Sequence, residues 1–249
     1  MWLWLEMSKD RQELETAMRA YMGEDYTTAI DKLNDIVDRY PRSDYAFQIL
    51  GKSHHKVGNL QSAYQALKKA AELNPKVLGE CWTEIGLMLA EDGQAQSAIA
   101  AYEFVIKNAP SHADAWRELG NVYFGLQQLD KAVEYLNRAL KYRKDDPRTY
   151  FLLGLIRDAK KDWKAAVKFF EKAVKYGNHD QYYADFNYFL GYTLAQSGKI
   201  KKAIPYLEKA IVLDPNYLRA WKSLETYYKK LGKHVKAAEC TSVIQELTK

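Results

Sequence analysis

The stretch ADAWRELGNVYFGLQQLDKAVEYLNRAL, Ala113 to Leu140, decides the fold. Trp116, Leu119, Gly120 and Tyr123 fall at i, i+3, i+4 and i+7, so all four share one face of a helix. After the link GLQQLD, Ala132, Leu136 and Ala139 build the same kind of face on a second helix. Gly120 and Ala132 are small where the two helices would approach closely, and Trp116 and Tyr123 are large enough to fill the flanks. Such a pair buries one seam and leaves a second apolar face bare, so it needs neighbours of its own kind.

The neighbours are present. Gly51, Gly86, Gly120, Gly154 and Gly191 each follow a Leu or Ile and recur at steps of 35, 34, 34 and 37 residues. Ala29, Ala63, Ala98, Ala132, Ala166, Ala203 and Ala237 recur with them on the second helices. Pro41, Pro75, Pro110 and Pro215 lie twelve residues after their alanines, where a proline stops one helix pair before the next begins. The pattern of Trp, Leu-Gly and Tyr, then Ala, an aromatic, Ala and Pro, resembles the tetratricopeptide repeat. The resemblance covers almost the whole chain and implies an all-α, right-handed superhelical solenoid of tandem helix-turn-helix repeats. The expected repeats are 10–43, 44–78, 79–112, 113–146, 147–183, 184–217 and 218–249, a single array behind an apolar N-terminal cap segment, 1–9.

The first repeat is degenerate, with Glu13 and Ala17 in the Trp and Gly slots; the last has Glu225 in the glycine slot and Thr241 in the aromatic slot. Repeat five carries three extra residues in the turn YGNHDQYY, an insertion of the kind that holds contact loops. Pro205 is placed early in the second helix of repeat six, where its missing N–H costs least.

A net charge of +5 over 249 residues is mild and does not by itself imply nucleic acid. Two cysteines, Cys81 and Cys240, fall in distant repeats, which favours reduced thiols and a cytoplasmic setting. The alternative is a periplasmic or membrane-associated protein from which an N-terminal segment was removed. No run reaches the ~18 apolar residues of a membrane span. Trp2, Leu3, Trp4, Leu5 and Met7 make a conspicuously apolar start, read as a cover for the first repeat or as a contact for self-association through Trp2 and Trp4.

In the resembled family the first helices line a concave groove, and that correspondence selects the candidate site. Repeat three contributes Glu80, Thr83, Glu84, Leu87 and Glu91, an acidic stretch. Repeats four to six contribute Asn121, Phe124, Phe151, Leu152, Leu155, Tyr188, Phe189 and Tyr192, and repeat seven Arg219, Lys222, Lys229 and Lys230. Apolar side chains on a face that helix packing does not use suit an amphipathic helix or extended peptide of a partner protein. The competing reading is that they pack among themselves. The clamp by which chaperone adaptors of the family hold a C-terminal carboxylate is matched by Arg117 and Asn121 but broken at Leu152, Asp185 and Phe189.

Lys161, Lys164, Lys168, Lys172 and Lys175 recur at helical spacing and read as a solvated outward face, with an acidic protein or anionic membrane as the alternative. No stacking platform accompanies them, so nucleic acid is not expected. Gly51-Lys52-Ser53 imitates a phosphate-binding loop but sits inside a helix and has Ala46 for the upstream glycine. His54 and His55 point ~100° apart on a helix and have no chelating neighbour, so no metal is expected; His54 takes the core tyrosine slot and His55 faces the groove. No acid, base and nucleophile converge, and no cofactor is implied. The expected function is a non-enzymatic scaffold or adaptor, with a self-assembling protein or a bacterial pilus or outer-membrane assembly factor as rivals.

Overall fold

The computed structural model describes the backbone of residues 2–248 and the side chains of residues 11–248. Among the described residues it is all helical, fourteen α-helices in tandem pairs. They are α1 (Trp2–Met22) and α2 (Tyr26–Arg39), α3 (Asp44–Lys56) and α4 (Leu60–Leu73), α5 (Leu78–Glu91) and α6 (Ala95–Asn108), α7 (Ala113–Gly125) and α8 (Leu129–Tyr142). The remainder are α9 (Pro147–Ala159) and α10 (Trp163–Tyr176), α11 (Tyr183–Gln196) and α12 (Ile200–Leu213), α13 (Leu218–Lys230) and α14 (His234–Leu247). One pair falls on each expected repeat, with α1, α5 and α11 beginning ahead of the expected first residue. The cap segment expected at 1–9 is continuous with the first repeat, since α1 begins at Trp2 and runs on to Met22. Trp2 and Trp4 themselves lie outside the residues whose side chains are described.

Local chemistry explains the element boundaries. The turn inside each pair carries one residue with positive φ: Glu24, Gly58, Gly93, Gln127, Lys161, Gly198 and Gly232. This left-handed residue ends a first helix and turns the chain toward the second. Three second helices, α2, α4 and α10, open on Asp25, Asn59 and Asp162, whose side chains accept from the backbone N–H three residues on. Between pairs, Pro41, Pro110 and Pro215 fall two residues past a helix end, and Pro75 opens a short 3-10 turn, Pro75–Val77. Pro205 departs from expectation. It is the sixth residue of α12, past the first turn, so Lys201 loses the backbone donor that a normal helix supplies.

The helices form two compact units, residues 1–128 and 129–249. In the first, each helix from α1 to α7 packs on the next, and α3 also touches α1 and α5. Its core holds Leu33, Ile36 and Leu50 toward the N-terminus and Leu67, Cys81, Ile85 and Met88 farther on, all buried. In the second unit, α8 to α14 pack in the same successive way around Phe170, Leu190, Leu207 and Leu224. The glycine slot governs these crossings. A Cβ on Gly51 would lie 2.6 Å from Leu67 Cγ, and one on Gly154 2.5 Å from Phe170 Cε1. Both partners sit sixteen residues downstream, so one small residue per pair admits one large side chain from the second helix.

Candidate functional site

The first helices of the second unit, α9, α11 and α13, are linked side by side through their side chains. Phe151 on α9 meets Phe186 and Phe189 on α11, at ring-centroid distances of 5.1 and 5.3 Å, and Phe170 on α10 at 5.7 Å. Tyr188 on α11 packs on Phe189 at 5.1 Å and on Tyr217, just before α13, at 5.0 Å. Thr193 on α11 donates to Asp158 on α9 at 3.1 Å, and Tyr217 donates to Asp185 at 2.6 Å.

This geometry corrects part of the sequence reading. Tyr188 is buried, 8% exposed, and belongs to the core rather than to a free face. Phe151 is half-buried and spends its ring on three other aromatics. The sequence lists these positions as facing the groove but does not say how closely α9 and α11 approach. That approach turns the aromatic side chains toward each other. Leu152, Leu155, Phe189 and Tyr192 stay half-buried, with Leu155, Phe189 and Tyr192 resting on the core from outside. On α13, Lys222 and Lys229 are exposed, and Lys229 pairs with Glu225 at 2.7 Å. Asn121, exposed, and Phe124, half-buried, lie on α7 in the first unit.

The first unit carries a different arrangement. His55, at the end of α3, has Nδ1 2.9 Å from Glu84 Oε1 and Nε2 2.9 Å from Glu91 Oε2, both on α5. A neutral imidazole has one N–H and satisfies only one of these carboxylates, so the geometry selects the imidazolium. The Glu84 hydrogen bond raises the His55 pKa against the opposing effect of burial, and Glu91 adds to the rise. Burial works against ionisation of Glu84, but the hydrogen bond and charge of His55, with Lys52 and Lys56, hold its carboxyl below the usual range. All three residues were placed on the groove face by the sequence; their pairing across helices was not visible there. His54 is half-buried in its tyrosine slot, its Nδ1 buried without a partner, and burial lowers its pKa.

The other side chains of chemical interest are paired, buried or held inside a helix. Arg117, the first element of the broken carboxylate clamp, is buried and bonded to Asp114 at 2.5 Å and Glu118 at 2.8 Å. Cys81 is buried and its thiol is pushed up to about 12 by that burial, far from a reactive thiolate. Gly51, Lys52 and Ser53 are interior residues of α3, not a loop. The inserted turn before α11 helps to shape a cleft of about 380 Å³ with Leu213, Asp214 and Tyr217. Its carboxylates are engaged: Arg148 donates to Asp180 at 2.9 Å, and Asp185 receives Tyr217.

Sequence models described as tetratricopeptide repeat match residues 14–43, 45–77, 89–156, 147–176 and 184–217. The chain belongs to the tetratricopeptide repeat family. Among tetratricopeptide relatives, a BBSome complex member, BBS4 of Bos taurus, is 25% identical over 80% of this chain and 38% of its own length. A repeat-containing protein of Methanocaldococcus jannaschii is 27% identical over 90% of this chain and 41% of its own. The chain thus spans about two-fifths of the length of these relatives. Among solved structures, MamA superimposes with a TM-score of 0.58 at 26% identity, covering 66% of this chain and 94% of MamA. PilW, a type IV pilus biogenesis factor, reaches a TM-score of 0.69 at 17% identity over 86% and 98%, a likeness of fold alone. Tetratricopeptide repeats are protein-interaction modules, and BBS4 is a member of a protein complex, the BBSome.

Proposed function

We propose that this protein is a non-enzymatic adaptor whose second unit receives an amphipathic segment of a partner protein on the side formed by α9, α11 and α13. The observation that carries the reading is the apolar band left over once the core is filled. Leu152, Leu155, Phe189 and Tyr192 remain half-exposed on α9 and α11, while Lys222 and Lys229 stand exposed on α13. Such a band matches a helix with apolar anchors at i, i+3 and i+4 and an acidic end. Phe151 and Tyr188 serve this band from beneath, by holding the helices that present it.

The test is selection of binders from a displayed library of amphipathic helical peptides, using the full chain as bait. Selected peptides are expected to combine apolar anchors with Asp or Glu. They should bind Leu155→Ser/Tyr192→Ser at least tenfold more weakly, about 1.4 kcal/mol, with the helical signal retained at the assay temperature. Peptides that bind the double variant as well as the wild type would overturn the assignment.

A further inference from the structure

The outward side of α8, α10 and α12 carries a second surface. Residues 129–249 contain 24 Lys and Arg against 14 Asp and Glu, whereas residues 1–128 contain 13 against 18. The excess is ordered by the repeat. Steps of 34 and 37 residues, which carry buried Ala132 to Ala166 and Ala203, also carry exposed Arg138 to Lys172 and Lys209. The same steps relate Lys141 to Lys175, both exposed. Equivalent positions earlier in the chain, Asp35, Lys69 and Phe104, are not a basic row. Among the described residues no ion pair holds Lys168, Lys172, Lys175 or Lys209; the exposed acidic residues of α8 and α10 are Asp130, Glu134 and Glu171, and Asp130 pairs with Lys160 at 3.1 Å. Lys161, the first of the lysine run, belongs instead to the turn before α10.

A second row borders the first. Tyr142, Tyr176 and Leu213 occupy one repeat position at the C-terminal ends of α8, α10 and α12 and are 42%, 39% and 42% exposed. Val212, beside them, is 71% exposed. A polyphosphate chain has nothing to offer these side chains. An anionic bilayer does: its headgroups attract lysine, while tyrosine and aliphatic side chains settle at the boundary with the acyl chains.

The geometry points to this face as a docking surface for an anionic lipid membrane, with the basic rows over the headgroups and the Tyr–Leu–Val border dipping into the interface. It uses the second helices of the pairs and is independent of the band on α9, α11 and α13.

Sedimentation of the full chain with vesicles tests it, comparing phosphatidylcholine alone with phosphatidylcholine containing phosphatidylserine, at low and high salt. Binding is expected only to the anionic vesicles and should weaken with salt. Lys172→Glu/Lys175→Glu/Lys209→Glu should weaken it roughly a hundredfold or more. Val212→Ser/Leu213→Ser, which keeps every charge, should weaken it several-fold. Circular dichroism checks both variants, with Lys→Gln at the same positions replacing any charge reversal that unfolds. Absence of binding to the anionic vesicles would overturn the proposal. So would equal affinity for duplex DNA together with an unaffected Val212→Ser/Leu213→Ser variant, which would assign the face to a polyanion.

Discussion

Gly154 and Phe170 show how little room a single residue has in this protein. The absent Cβ leaves space for a ring that is itself fully buried, so Gly154→Ala forces Phe170 or the α9–α10 crossing to move. The expected loss is about 1–3 kcal/mol in urea unfolding. Lys161 offers the opposite case. It holds a φ of 57° where four other repeats place glycine, so Lys161→Gly should raise stability by about 1 kcal/mol. An unchanged denaturation midpoint would mean that the turn relaxes without strain. Phe151→Ser or Tyr188→Ser should cost on the order of 3 kcal/mol, since each ring is packed against other aromatics. A variant of either that melts like the wild type would return these residues to the binding face. The glycine, alanine and proline slots were legible because each repeats at a fixed step and each has a steric reason. Burial of Tyr188 was not, because periodicity says which side of α11 a residue takes and not how near α9 stands.

Between elements, the link from α3 to α5 is an ionic one and depends on pH. Folding raises the His55 pKa above the ordinary imidazole value of 6.5, so this contribution is complete below 6.5 and is lost as pH rises through the folded value. Glu84 is depressed below 4.5, so its contribution is present above 4.5 and is lost as pH falls through its folded value. The link is therefore strongest in mildly acidic solution, between the two windows. His55→Gln should lower stability by about 1–3 kcal/mol near pH 6 and by much less near pH 9, measured by thermal unfolding across that range. An equal loss at both pH values would mean that His55 acts by packing alone. The sequence placed His55, Glu84 and Glu91 on one face but kept them 29 and 36 residues apart; only the packing of α3 on α5 joins them.

At the scale of the molecule, the repeats use their two helices for different work. First helices carry the band read as a protein-binding face, and second helices in residues 129–249 carry the ordered basic rows. The all-helical solenoid and the family were legible from a single period. The division of charge between the two units was also present in the sequence, but it gains meaning only when the rows fall on one exposed side. Hydrogen–deuterium exchange of the full chain, with and without a library-selected peptide, tests the central claim most directly. Peptide binding should slow exchange in α9, α11 and α13 and leave α10 and α12 unchanged. Protection confined to α10 and α12, or to residues 1–128, would contradict the account.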